Sequence, residues 1–339
     1  MSYTIVRPKD RDAWLEERKN GLGSSDAGTV MGVSPFSTPL KLWRLKMGID
    51  PPVEETDAMR NGHWFEAATA QYFAYVTKSF VDPDTADDWL AVSNEKPFLR
   101  VSPDRLFYTE GVEHKIENAL ILELKSTSKS VDPDNIPNYW YCQVQYQMGV
   151  MGVKMAAVAW VSAFPTLHFG HTWIAFNEEF YKTLEGKLTE FWQNNILKGI
   201  SPEPLDEEDV KILWPKAERP EPVIATNEDN VLISQYKQMA ERLKEDEEEM
   251  SQITMKLKER IKDCESLVND ENGMYHTLIT YRHNKKNVFD EDKFRAEEPE
   301  VYKRYLKNVL DLDELKSFDK PTFDKYNKVL KGNRVFKVL

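Results

Sequence analysis

The sequence predicts a mixed α/β core, a central mixed β-sheet flanked by helices, followed by a helical, coiled-coil-like and small β extension. Three observations carry this expectation. Apolar runs of strand length, "ALILELKS" and "KMAAVAWVSA", alternate with amphipathic stretches of helix length. Capping residues and prolines punctuate the first half at helix-start positions. A heptad of apolar residues then follows a proline- and charge-rich break. The expected division is a core at 1–205, an acidic, proline-rich linker at 206–230 and the extension at 231–339.

The elements follow in order. Residues 11–20 read as a short helix carrying Trp14 and Leu15. "GLGSSD" is a turn, and Ser24 or Ser25 caps a small-residue helix through Val30. "SPFSTPLKLWRLKMG" is a second helix, capped by Ser37 or Thr38, with Pro39 at its first position and Gly48 at its end. "PPVEETDAMRNG" reads as a loop. "HWFEAATAQYFAYVTKS" is a helix with Phe65, Ala68, Tyr72 and Val76 on one face. "FLRVSPD" and "ALILELKS" are strands joined by the polar "YTEGVEHKIEN". Pro137 introduces the helix "NYWYCQVQYQMGVMG", and "KMAAVAWVSA" and "LHFGHTWIAF" are further strands. A helix over 178–198 ends at Gly199.

Past the linker, Tyr236, Leu243, Met250, Leu257 and Cys264 lie seven apart, with Leu232, Met239 and Ile253 as a second row broken by Asp246. "MYHTLITYRH" alternates as a strand, with "RVFKVL" as a pairing partner and "FDEDKFRAEEPEVYKRYLKN" as a helix between them.

Bulk properties narrow the function classes. Apolar residues make up 41% of the 339, enough for a sizeable core. No run has the length of a membrane span, and "MSYTIVRPKDRDAW" is not a secretory signal. Cys142 and Cys264 form no metal or redox spacing, so zinc is not expected and a reduced cytoplasmic location is. The net charge of −12 is uneven. Glu203–Asp270 holds 19 acidic and 10 basic residues, whereas Met1–Gly48 holds 8 basic and 5 acidic. The acidic segment therefore leaves the amino-terminal part free to bind a polyanion.

"LILELKS" places two charges on one face of an apolar strand, because Glu123 and Lys125 are two residues apart. Glu-x-Lys alone says little, since other copies such as Glu113–Lys115, Glu185–Lys187, Glu291–Lys293 and Glu314–Lys316 occur in the chain. Its plain alternative is a surface ion pair on an edge strand. Here, however, "SPD" stands 19 residues earlier, and a hairpin would bring Asp104 beside Glu123. Two carboxylates at strand ends suit Mg²⁺, a hard cation that takes oxygen ligands. Such an ion polarises a phosphodiester and lowers the pKa of its bound water. Lys125 would orient that water or stabilise developing negative charge. Glu66, in "NGHWFE", is the candidate third carboxylate.

"SPD" followed by "LELK" resembles the signature of the PD-(D/E)xK nuclease superfamily. More of residues 10–200 resembles one branch, the phage lambda-type exonucleases and their YqaJ-like viral recombinase relatives. "WLEERKNGLGSSDAGTVMGVSPFSTPLKLWRLKMG", "NGHWFE", "SPD", "LELKS" and "YCQVQYQMGVMG" occur in that branch's order. The resemblance implies a PD-(D/E)xK, restriction-endonuclease-like core and a Mg²⁺-dependent 5′→3′ exonuclease on linear double-stranded DNA, with two ions per site and Mn²⁺ as a substitute. It implies a homotrimeric ring, a 3′ single-stranded product and a single-strand annealing recombinase as partner, in the cytoplasm of a bacterial host.

Residue by residue, Asp104 and Glu123 match the metal ligands, joined by the main-chain carbonyl of Leu124. Lys125 matches the catalytic lysine and Glu66 the helix glutamate. Arg18, Ser25, Ser102 and Gln143 match the set that holds the 5′-phosphate and DNA. Met59 aligns with an apolar wedge at the duplex end. Arginine suits phosphate because its planar fork donates two hydrogen bonds. Trp14, Trp43 and Trp64 are expected in the core. Competing readings are a PD-(D/E)xK nuclease of other polarity or substrate, RecB-like or endonucleolytic, and a non-catalytic scaffold that binds DNA ends.

Overall fold

The computed structural model describes residues 3–281, apart from 86–88, 164–165, 220 and 272, together with Ala296 and Pro299. The chain divides into two compact units, Met1–Pro215 and Lys216–Leu339. Among the described residues no helix is long and apolar enough to cross a membrane.

The first unit begins with β1 (Tyr3–Val6), α1 (Arg11–Lys19), α2 (Asp26–Val30), α3 (Pro39–Lys46) and α4 (Asp57–Thr77). It continues with β2 (Phe80–Val81), β3 (Leu90–Ser93), β4 (Arg100–Val101), β5 (Arg105–Tyr108) and β6 (Leu120–Thr127). Then come α5 (Asn138–Met151), β7 (Met155–Ser162), β8 (His168–Ala175), α6 (Glu178–Glu190) and α7 (Glu207–Leu213).

The main sheet has the order β2-β5-β6-β7-β8. Only β6 and β7 run parallel, and α5 is the crossover between them. The sheet is therefore mixed and flanked by helices, as expected. On one face, Phe73 and Ala70 of α4 pack on Leu122, Leu124, Phe107, Ala157 and Ala159. On the other, Ile121, Val158 and Trp160 meet Trp140, Val144 and Met148 of α5. Strand alternation explains the division: Leu122 and Leu124 point to α4, while Ile121 shares its face with Glu123 and Lys125.

Several local expectations are corrected. "FLRVSPD" is not one strand. Arg100–Val101 pairs with β3 in a separate three-stranded sheet, β1-β3-β4, and the chain changes sheets at Ser102–Pro103. Asp104 therefore precedes a strand rather than ending one. The helix expected from His63 begins at Asp57, where the Thr56 side chain accepts from the Met59 N–H, so Met59 lies in a helical first turn. The buried face of α4 is Thr69, Ala70 and Phe73; Phe65 and Val76 are exposed. Trp14 is buried and Trp43 partly so, but Trp64 is 71% exposed and is not core.

The stretch at 206–215, read as linker, belongs to the first unit. Its proline and charge content hid α7, whose Asp209 is fully buried. Asp209 accepts from the Thr38 hydroxyl at 2.7 Å and from the Leu205 N–H at 2.9 Å, which ties the segment to the start of α3.

In the second unit, α8 (Asn227–Ile261) opens on a capping box formed by Thr226 and Asp229. The heptad residues Leu232, Tyr236, Met239, Leu243, Met250 and Ile253 are exposed along it, and Cys264 falls beyond its end. β9 (Ser266–Glu271) and β10 (Met274–Thr280) form an antiparallel hairpin. "RVFKVL" and the helix expected at "FDEDKFRAEEPEVYKRYLKN" lie outside the described residues, apart from Ala296 and Pro299.

Candidate active site

β5 pairs with β6 so that Arg105 faces Leu122, which sets Asp104 opposite Glu123. Asp104 Oδ2 accepts the Leu124 N–H at 2.6 Å. The side chain thus takes a ladder donor that β5, starting one residue later, leaves free. Glu123 lies on a central strand with its side chain 1% exposed, which removes the reading as a surface ion pair on an edge strand. Lys125 Nζ donates to Glu123 Oε1 at 2.6 Å and to Gln143 Oε1 at 2.9 Å.

The electrostatics of this cluster are those of crowded anions. Burial, then the charge of Glu123, pushes Asp104 well above the ordinary carboxylate range, against the opposing pull of Lys125 and the Leu124 N–H. Burial disfavours the charge on Lys125, but the Glu123 and Asp104 carboxylates outweigh it and raise its pKa. Lys125 is therefore held as an ammonium. Buried Glu123 and half-buried Asp104, with one cation on Glu123, crowd their carboxyl oxygens in a way that suits an added hard cation. Asp104, Glu123 and the Leu124 carbonyl offer oxygen donors of that kind.

Glu66 does not complete a carboxylate triad: among the described residues no three His, Cys, Asp or Glu side chains converge on a metal-sized position. It projects from α4, on the opposite face of the sheet from Glu123. There Oε1 is 3.0 Å from His63 Nδ1 and Oε2 is 4.0 Å from Arg105. It still lines a small cleft of about 50 Å³ with Gly62, Phe65, Thr69, Leu124, Lys125 and Ser126. Its charge also adds to the upward shift of Asp104. A larger cavity of about 410 Å³ lies among Tyr3, Glu117, Leu120 and Lys154, at the other end of β6 from the charged pair.

The residues expected at the 5′-phosphate divide between two places. Arg18, in the last turn of α1, lies over the Trp14 ring at 4.7 Å and donates to Ser25 Oγ at 3.0 Å. Ser25 sits at the start of α2 without making a side-chain cap, so its hydroxyl serves Arg18 instead. Glycine is required at position 21 and leaves room for the Arg18 guanidinium at position 23. A Cβ at Gly21 would lie 2.3 Å from the Phe98 carbonyl, and one at Gly23 would lie 3.0 Å from the Arg18 guanidinium. Ser102 joins this loop through its backbone, whose N–H donates to Ser24 Oγ at 3.2 Å. Gln143 does not lie with Arg18 and Ser25. It projects from α5 onto Glu123 and Lys125. Met59 is 49% exposed and seven residues before Glu66, on the same stripe of α4.

Three residues that the sequence reading missed complete the site. Lys46 lies 3.1 Å from Asp26 and donates to the carbonyls of Gly21 at 2.7 Å and Arg18 at 3.2 Å. Asp26 in turn accepts the Gly23 N–H at 2.8 Å. Burial would raise the Asp26 pKa, but Lys46, then Arg18, outweigh it and lower it. Gln147 is fully buried and donates to Glu123 Oε2 at 2.7 Å. The available signal for Gln147 was its spacing of four from Gln143, which places both on one face of a helix.

Residues 13–154 match the model of the YqaJ-like viral recombinase domain. The protein YqaJ of Bacillus subtilis (strain 168), itself uncharacterized, is 27% identical over 307 residues, covering 87% of this chain and 90% of that one. Among solved structures, an alkaline exonuclease from Laribacter hongkongensis is 14% identical with a TM-score of 0.42, covering 55% of this chain and 93% of that one. A phage-related exonuclease from Haemophilus somnus 129PT is 12% identical with a TM-score of 0.38, covering 53% and 96%. Structural likeness at this distance does not transfer function. Residues 13–154 are thus similar to the YqaJ-like viral recombinase domain, and the likeness to YqaJ extends over 87% of the chain.

Proposed function

We propose that the protein is a divalent-cation-dependent exonuclease. In this reading it degrades one strand of linear double-stranded DNA 5′→3′ from a 5′-phosphorylated end and leaves a 3′ single-stranded tail. One observation carries it: buried Glu123 beside half-buried Asp104, with a Lys125 ammonium on Glu123, joined through Ser24 and Ser102 to a loop that holds Arg18 and Ser25.

Asp104, Glu123 and the Leu124 carbonyl would hold Mg²⁺, which Mn²⁺ can replace. When bound, the ion neutralises phosphodiester charge and activates water for attack. Lys125 stabilises the negative charge that develops on the scissile phosphate, because it is already cationic and fixed. Arg18 offers a guanidinium to the terminal phosphate, and Ser25 adds a hydroxyl donor. Buried Lys46 keeps that loop closed through the Arg18 and Gly21 carbonyls. Met59 meets the duplex end as an apolar wedge. A homotrimeric ring, an annealing recombinase as partner and a location in a bacterial host's cytoplasm extend this reading and rest on the family resemblance.

The test uses full-length protein, Mg²⁺ and three substrates: 5′-phosphorylated linear duplex, single strands and covalently closed circles. Label released first from the 5′ end of linear duplex, with circles spared, is the expected result. Rapid cleavage of circles would reassign the protein as an endonuclease. Preference for single strands or release from the 3′ end would move it to a RecB-like reading. No metal-dependent turnover at all would favour a DNA-end scaffold.

A further inference from the structure

We infer that Gln147 is a positioning residue, the anchor that fixes Glu123 as a metal ligand. The inference rests on the metal-dependent reading above and concerns a residue outside the set the family resemblance assigns. The two oxygens of Glu123 are held differently. Oε1 receives Lys125 at 2.6 Å and Gln143 at 2.5 Å. Both donors are only partly buried, and they also bond each other, so each keeps a partner if it leaves Oε1. Oε2 receives Gln147 at 2.7 Å, from a side chain with no exposure.

The other half of the Gln147 amide makes the case. Its Oε1 is buried without a hydrogen-bond partner. An unsatisfied buried acceptor costs about 1–3 kcal/mol, and a methionine of similar length would avoid that cost in the same core. The amide is therefore explained by what its N–H does for Glu123. A neutral donor suits the task. A cation there would cancel the charge that a metal needs, and a carboxylate would repel Glu123. With Oε2 fixed from the α5 side, Oε1 is the oxygen left to turn toward an ion.

The experiment is a Mn²⁺ titration of the full-length protein without DNA, with free Mn²⁺ read by its EPR signal. Gln147→Met should weaken Mn²⁺ binding by about 10–100-fold, the usual effect of removing a group that orients a metal ligand. Gln147→Asn, which keeps an amide but withdraws it by one methylene, should weaken binding similarly and covers the case in which Gln147→Met does not fold. In a Glu123→Ala background, Gln147→Met should cause no further loss, because its effect passes through Glu123. Wild-type affinity in both Gln147 variants, or equal weakening with and without Glu123, would overturn the inference while leaving the metal reading intact. Wild-type protein that takes up no Mn²⁺ would overturn both.

Discussion

Lys46→Met tests the buried pin beneath the loop that holds Arg18 and Ser25. The Lys46 and Asp26 side chains are 10% and 12% exposed, and their charged atoms lie 3.1 Å apart. The substitution keeps the length of the side chain but leaves Asp26 buried without its strongest counter-charge. It also frees the Gly21 and Arg18 carbonyls, which Lys46 now engages. Breaking one partner of a buried pair costs about 3–5 kcal/mol. For a unit of this size that corresponds to a fall in Tm of about 6–20 °C. The assay is selective because all nine tryptophans lie between Trp14 and Trp214, so tryptophan fluorescence follows the first unit alone. Adding Asp26→Asn to Lys46→Met should recover part of the loss, since no buried charge then stands unpaired. A Tm within 2 °C of wild type, or a double variant worse than the single, would refute the pin.

The remaining expectations concern the same two clusters. Asp26 is held ionised by Lys46 and Arg18, so its contribution is present above an ordinary aspartate pKa of about 3.9 and is lost as pH falls through the lowered folded value. The stability gap between wild type and Asp26→Asn, by urea titration, should thus be full at neutral pH and close below about pH 4. Lys125→Met should reduce single-turnover cleavage by about 10²–10³-fold. Arg18→Ala should lower the preference for 5′-phosphate over 5′-hydroxyl ends by about 10–100-fold, which paired end-labelled substrates would report. Ser24→Ala leaves the Ser102 N–H without its acceptor, so the first unit should lose about 1–3 kcal/mol, with Mn²⁺ affinity unchanged.

Helices were legible where a cap was joined by a proline, though the Thr56 cap of α4 and the Asp206 cap of α7 went unread. Thr38 with Pro39 and Pro137 with Gly152 bracket α3 and α5 as read. Strands were legible where apolar runs were long, as in β6 and β7, and illegible where they were short. Two residues, Arg100 and Val101, pair with β3 in one sheet, while Arg105 starts another. No periodicity can reveal that change of sheet. The α7 segment failed for a different reason. Its acidic first turn and flanking prolines look like linker, and only the burial of Asp209 against Thr38 shows that it docks. Asp104, Glu123 and Lys125 were readable because strand alternation and a hairpin are local rules. Lys46 and Gln147 were not, because each acts on a residue 20 or more positions away.

The loop at Ser102–Pro103 links these two clusters. It leaves one sheet at Val101 and enters the other at Arg105, so its position depends on both. Proline at 103 has no N–H to pair, which favours a break in the ladder at this point. On one side of the break, the Ser102 N–H takes Ser24 Oγ in the loop of Arg18 and Ser25. On the other, Asp104 takes the Leu124 N–H beside Glu123. Ser102, bonded to the loop of Arg18 and Ser25, and Asp104, bonded beside Glu123, thus stand two positions apart in the chain. A phosphate gripped by Arg18 would therefore be placed relative to the carboxylates by rigid sheet geometry. Side-chain flexibility would contribute little. In such an arrangement, binding the end of a strand and aligning its first phosphodiester for attack become one event.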